Sequence, residues 1–478
     1  MKRIIADINE QQSRIALLED QELKEFYIER ENYKRMVGNI YKGRVENVLP
    51  GMQAAFVNIG LEKNAFLYVR DAIEKKEELD SFPPINQIIK QGQELLVQIV
   101  KESFAQKGAR ITTNITLPGR YVVLMPTSDY IGISKRITGE EERERLRTIA
   151  LECKVDNIGM IIRTEAQGID KEEFSSDLNF LLKIWRSIEK KDKITISPKL
   201  IHRELELTYK IVRDLFTEDI DEFIINEKEH YHKVLEMIEG ISPELKSRMV
   251  YFDEPMDIFD YYGLSAQIKG ILQNKVWLKS GGYIIIDQTE ALTVIDVNTG
   301  KFIGSTSLED TVLKTNLEAA EEIAKQLRLR DIGGIIIIDF IDMEDPEDVE
   351  KVLNRLQRVF NEDKTKTNVL GMTQLGLVEM TRKKERKSIE KILKQPCPLC
   401  DGTGRVISVD SILIEIHKIL KKNPGLENKD KLYLYLHPQT FHRFELDNIL
   451  QQLKNLYHKD FELIEDGNIP IDKIKIAK

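Results

Sequence analysis

The chain has 478 residues, with 71 Lys and Arg against 80 Asp and Glu, a formal net charge of −9, and is 41% hydrophobic and 32% charged. That length allows several domains of roughly 100–200 residues, and the balance excludes a membrane protein and a mostly disordered chain. The acidic total argues against a general nucleic-acid coat, but local basic patches and an acidic metal site remain compatible with a nucleic-acid enzyme.

Residues 1 to about 34 alternate apolar and polar positions (RIIADI, SRIALLED, KEFYIER) and predict short strands. The opening MKRIIADINE breaks its apolar stretch with acids and polar residues, so no secretion signal is expected. From Val37 the block GNIYKGRVENVLPGMQAAFVNIGLEKNAFLYVRD is strand-rich, with Gly38, Gly43, Gly51 and Gly60 marking turns or bulges. After a charged stretch at 74–82, expected to be loop, QELLVQIVKE and ARITTNITL read as further strands. Short strands at this spacing predict a small barrel of the OB type. YVVLMP and NIGMIIRTEA then predict strands, and EERERLRTIALE and SSDLNFLLKIWRSIEK predict helices. Residues 202–275 show charged helical patterns only.

YIIIDQTEALTVIDVNTG predicts two strands joined by a polar turn. A helix follows, its apolar residues Leu313, Leu317, Ala320, Ile323, Ala324 and Leu327 recurring at three and four. Gly333-Gly334 then lead into the apolar strand IIIID, and strand–helix–strand makes a βαβ unit with parallel flanking strands. DPEDVEKVLNRLQRVF is a further helix, followed by the basic run TRKKERK and by CPLCDGTGR. Residues 406–478 predict a small α+β domain. No apolar run approaches the roughly 20 residues of a membrane helix.

Four features carry chemistry. Asp296 and Asp339 each end a strand of the βαβ unit, so both lie at the carboxyl edge of the sheet, where ligands bind in open α/β sheets. Two carboxylates there can hold one Mg²⁺, with Asn298 beside them and Asp342 nearby; the alternative is that they cap or turn the chain. Phe56 and Phe66, with the cations Lys42, Arg44 and Lys107, fit a barrel that stacks single-stranded nucleic acid, against a plain core role for the rings. Arg163-Thr164 ends a strand and can hold a phosphate, and the basic run at 381–387 can track phosphates or line a solvated helix face. Cys397 and Cys400 have zinc-knuckle spacing but supply only two of the four ligands a structural zinc needs. Two chains sharing one Cys₄ zinc across a two-fold axis is one solution; a redox dithiol and a metal-free turn are the others. Three cysteines cannot build a disulfide framework, which points to a reducing cytoplasm.

The motifs GNIYKGRVENVLPGMQAAFVNIGLEKNAFL, GISKRI, IIRTEAQG, TVIDVNTGKF, LRLRDIGGIIIIDFIDM, GLVEMTR and CPLCDGTGR, in this order, resemble the ribonuclease E/G family. The compact length resembles that family's ribonuclease G branch, which lacks the long scaffold tail of the ribonuclease E branch. The resemblance implies a bacterial endoribonuclease that cuts single-stranded AU-rich RNA and prefers a 5′-monophosphate end. It implies catalytic Mg²⁺ on Asp296 and Asp339, one per chain, with Asn298 assisting. RNA would be held by Phe56, Phe66 and Lys107, and the 5′-phosphate by Arg163 and Thr164 with backbone support near Gly119 and Val123. It also implies one Zn²⁺ per two chains on Cys397 and Cys400, giving a homodimer and, by the family pattern, a dimer of dimers. The fold class expected is α/β and α+β multidomain: an RNase H-like fold from 1–34 and 209–275, an S1-type OB barrel over 35–117 and a 5′-sensor region over 118–208. A DNase I-like catalytic subdomain over 276–393, a zinc link at 394–405 and a small α+β domain over 406–478 complete it. The competing expectation is a non-catalytic RNA-binding module acting in ribosome assembly or translation, which would need the aromatic and basic residues but not the acidic pair.

Overall fold

The computed structural model describes the chain except for residues 31–35, 74–81, 103–106, 156, 301–307, 362, 364, 385, 399, 401, 424–425, 427–430, 447–448, 472 and 478. Most of the charged stretch expected as loop at 74–82 lies outside the described residues. Contacts divide the chain into two units, Met1–Ile389 and Glu390–Lys478.

In the first unit, the alternating N-terminal segments form the antiparallel strands Lys2–Ile8, Gln12–Glu19 and Glu22–Arg30. Two strands from the 202–275 region, Glu222–Ile225 and Met249–Tyr251, extend this sheet in parallel beyond Lys2–Ile8. The helical pattern expected there is present in Leu207–Leu215 and Lys228–Ile241, but that pattern alone does not predict these strands. Segments of four and three residues are too short to display a period of two, so only the tertiary pairing reveals them.

The next block closes into a five-stranded barrel of Ile40–Leu49, Ala54–Asn58, Ala65–Tyr68, Glu94–Lys101 and Arg110–Thr112. Closure comes from the first strand pairing with both the second and the fourth. Gly43 permits the tight curl, since a Cβ there would lie 2.6 Å from the Val57 side chain. A four-stranded sheet follows, built from Leu117–Pro118, Val122–Met125, Ile131–Ile133 and Gly159–Ile162. The helix Lys171–Ile194 covers it; Asp170 accepts from the Glu173 amide in a capping box, and the helix buries Phe174, Leu178, Leu181 and Trp185.

The remaining sheet of the first unit runs in the order Lys275–Trp277, Tyr283–Gln288, Leu292–Asn298, Gly334–Asp339, Leu377–Arg382, Thr367–Met372. Leu292–Asn298 and Gly334–Asp339 are parallel, as the crossover through the helix Leu308–Leu329 requires. One face packs Ile295, Val297, Ile336 and Ile338 against Ala320, Ile323, Ala324 and Leu327 of that helix and against Val352 and Leu356 of the helix Pro346–Asn361. The other face is open: Ile335 is 53% exposed.

The second unit carries helices Val409–Lys422, Pro438–Leu446 and Ile449–Tyr457 on a three-stranded sheet of Lys431–Leu436, Asp460–Glu465 and Ile474–Ala477. This is an α+β arrangement with its own core around Leu432, Leu434, Phe444 and Phe461. Among the described residues, no helix is long and apolar enough to cross a membrane.

Candidate active site and RNA-contact surfaces

Asp296 and Asp339 are direct register partners on the two parallel strands. Adjacent strands lie roughly 4.8 Å apart and residues in one row share a face, so the two carboxylates emerge side by side. They emerge on the open face: Asp296 is half-buried and Asp339 exposed, while their neighbours Ile295, Val297 and Ile338 point into the core. Asn298 donates from Nδ2 to Asp296 Oδ2 at 2.8 Å and so fixes that carboxylate's orientation. The chain beyond Asp339 is pinned by Asn316, a fully buried residue of the crossover helix. Its amide donates to the Ile341 carbonyl at 2.8 Å and accepts from the Ile341 amide at 3.1 Å. Asn316 was missed in the sequence; a polar residue on the apolar stripe of that helix is its only signal. This pair of oxygen donors, one held and one exposed, suits a hard divalent cation that keeps most of its waters.

On the barrel, Phe56 and Phe66 are register partners whose rings meet edge to face at 5.9 Å. Both are half-buried and stand outside the barrel core, so the plain core role does not hold for either. Exposed Lys107 lies at the edge of the same strand pair, because a Cβ at Gly108 would fall 2.0 Å from the Asn64 carbonyl. The other expected cations differ. Lys42 is tied down by the Asp192 carbonyl at 2.8 Å and Glu94 at 3.3 Å, whereas Arg44 is exposed. In the run 381–387, Arg382 is buried against Asp363 at 2.9 Å and supports the fold, whereas Arg386 lies over the Tyr27 ring but stays exposed.

Arg163 donates to the Gly119 carbonyl and to Asp214 at 2.8 Å, so the structure brings Arg163 and Gly119 together. Thr164 Oγ1 is 3.1 Å from Ser134 Oγ, and Val123 pairs with Ile161 in the same sheet. The Gly119 turn is set by Asp177, whose carboxylate accepts from the amides of Arg120, Tyr121 and Val122 at 3.1, 2.9 and 3.1 Å. Burial pushes the Asp177 carboxyl above its ordinary range, against the pull of those amides. The Gly119 amide itself donates to the Val122 carbonyl at 2.7 Å. Burial also works on Asp214, but Arg213 and Arg163 outweigh it and hold that carboxyl below its ordinary range. Arg163, Asp214, Arg213 and Lys210 line a cavity of about 580 Å³.

A profile of the ribonuclease E/G family matches residues 116–385. The chain is 42% identical over 442 residues to Ribonuclease G of Escherichia coli (strain K12), covering 91% of this chain and 90% of that protein. The chain belongs to the ribonuclease E/G family. Ribonuclease G of Haemophilus influenzae is 44% identical over 444 residues, with the same coverage, and Ribonuclease E of a Nostoc species is 40% identical over 410 residues, covering 85% of this chain and 59% of that protein.

In this ribonuclease E/G family member, Cys397 is exposed and Cys400 half-buried within the second unit. Gly402 and Gly404 adopt φ of +84° and +68°, folding the chain back so that the Gly404 amide donates to Cys400 Sγ at 3.2 Å. That amide holds the Cys400 thiol below its ordinary pKa, the protonation behaviour a metal thiolate needs. Two thiols are half of the four donors that a structural zinc takes. Among the described residues there is no cluster of three or more His, Cys, Asp or Glu able to hold a metal ion. Cys153 ends the helix Glu140–Cys153, and burial raises its thiol pKa.

Proposed function

We propose that this chain is a Mg²⁺-dependent endoribonuclease that cuts single-stranded, AU-rich RNA, prefers a 5′-monophosphate end, and serves rRNA and tRNA processing and mRNA decay. The observation that carries the reading is the register pairing of Asp296 with Asp339 on an open sheet face. Asp296 and Asp339 would hold the metal, with Asn298 keeping Asp296 aimed through its hydrogen bond. Bound there, Mg²⁺ would polarise a phosphoryl oxygen and acidify water. The reaction adds water across a phosphodiester: the P–O3′ bond breaks, leaving a 3′-hydroxyl and a 5′-phosphate. Phe56 and Phe66 offer ring faces for bases and Lys107 a cation for the backbone, a combination that holds a flexible strand without reading its sequence closely.

Arg163 and Thr164 would receive the 5′-monophosphate. The Arg163 guanidinium is fixed through Nη1 by Asp214 and the Gly119 carbonyl, with Glu165 3.5 Å from Nε, which leaves Nη2 to meet an anion. Cys397 and Cys400 would join the same pair of a second chain through one Zn²⁺, making a homodimer that can assemble further as a dimer of dimers. A cytoplasmic location agrees with free thiols at this site.

The test uses one short AU-rich RNA with a 5′-monophosphate or a 5′-hydroxyl, incubated with Mg²⁺ and either the wild-type chain or Asp339→Asn. Internal cuts with 3′-hydroxyl ends are expected, faster on the monophosphate. Asp339→Asn is expected to lose on the order of a hundredfold in rate while still binding RNA. RNA bound but uncut by both proteins would instead favour the RNA-binding module.

A further inference from the structure

The edge strand Lys275–Trp277 carries residues that no motif above includes. Its register runs straight to the acidic pair. Lys275 pairs with Ile285, Ile285 with Asp296, and Asp296 with Asp339, so the lysine and both acids stand in one row across the sheet. The neighbouring row is Trp277, Tyr283 and Asn298. Both rows project from the open face. Trp277 is 61% exposed, although large aromatic side chains usually find cover. Its ring meets Tyr283 edge to face at 5.4 Å, and Lys275 Nζ lies 4.1 Å from the Trp277 ring centre and 3.6 Å from that of Tyr283. The lysine occupies one side of this cluster and leaves much of the indole in solvent.

Building on the nuclease reading above, we infer that Trp277, backed by Tyr283 and Lys275, is a base-stacking platform for the RNA strand as it crosses the acidic pair. The row spacing places Lys275 two strand intervals, roughly 10 Å, from Asp296, within reach of a nucleotide flanking the cut. An exposed indole offers a π face to any base, and an adjacent ammonium suits the phosphate linked to it. A platform beside the metal ligands would hold the scissile phosphate in place, a task the barrel rings perform from another sheet.

The full-length chain is tested in two ways. In EDTA, where cleavage is blocked, a short single-stranded RNA is expected to quench tryptophan emission in wild type but not in Trp277→Phe, where buried Trp185 alone emits. With Mg²⁺, Trp277→Ala is expected to lose about tenfold in kcat/KM, and Trp277→Phe to keep most of it. A series of RNAs with one abasic site each is expected to show a position near the cut where wild type slows about tenfold and Trp277→Ala slows no further. Identical abasic profiles for wild type and Trp277→Ala would overturn the platform. So would a change in oligomer size on Trp277→Ala with unchanged RNA kinetics, which would make this face a protein contact. Wild-type cleavage that ignores Trp277 rejects the platform alone. Quenching by RNA without any Asp339-dependent cut supports the platform and rejects the nuclease reading.

Discussion

Gly119 has no room for a side chain. A Cβ built there would lie 2.5 Å from an Asp177 carboxylate oxygen, and three main-chain amides prevent that carboxylate from moving aside. Gly119→Ala is therefore expected to cost about 1–3 kcal/mol of stability, measured by denaturant unfolding. Because the Gly119 carbonyl also holds Arg163, the ratio of cleavage rates on 5′-monophosphate and 5′-hydroxyl RNA is expected to fall toward one in the same variant. An unchanged ratio would separate Gly119 from end sensing. Single residues were unevenly legible in the sequence. Asp296 and Asp339 could be read because each closes an apolar run; Asp339 does end its strand, whereas the strand of Asp296 runs on to Asn298. Asp177 sits within a helical pattern, and its partners are amides, which leave no mark in a sequence. Trp277 was missed because a three-residue edge strand has too few positions to show alternation.

The crossover unit shows what periodicity conveys and what it omits. The spacing of Ala320, Ile323, Ala324 and Leu327 predicts a buried helical stripe, and all four pack in the sheet's core. Parallel pairing of the two flanking strands follows from the connection length, and with it the side-by-side placement of the acids. The run IIIID, however, is apolar at every position, so nothing in it distinguishes a covered face from an open one. That depends on the helices Leu308–Leu329 and Pro346–Asn361 covering one face, which leaves Ile335 on the other 53% exposed. A pair of substitutions reads the difference. Ile338→Ala removes a fully buried side chain on the helix face and is expected to cost about 2–5 kcal/mol. Ile335→Ala, three residues earlier on the open face, is expected to stay within about 0.5 kcal/mol. Comparable losses at both positions, measured by thermal or denaturant unfolding, would mean that the second face is covered.

At the scale of the whole molecule, the zinc proposal is a matter of ligand count. A structural zinc takes four donors, and Cys397 and Cys400 provide two. A third and fourth donor from the same chain would have to come from another cluster, and the described residues contain no group of three or more metal-ligating side chains. A two-fold axis through the metal supplies the missing pair with no further sequence requirement. Native mass spectrometry with metal analysis is expected to find one zinc per two chains. Chelation, or Cys400→Ser, is expected to yield monomers that keep their far-ultraviolet circular dichroism, because each unit has an apolar core remote in composition from the cysteines. One zinc per chain would overturn the shared site, and so would a dimer that survives both treatments. Loss of secondary structure together with the metal would instead make the zinc part of each chain's own folding. The two outcomes differ in concentration dependence: a metal that only joins chains makes dimer dissociation depend on protein concentration, whereas a metal that folds each chain does not.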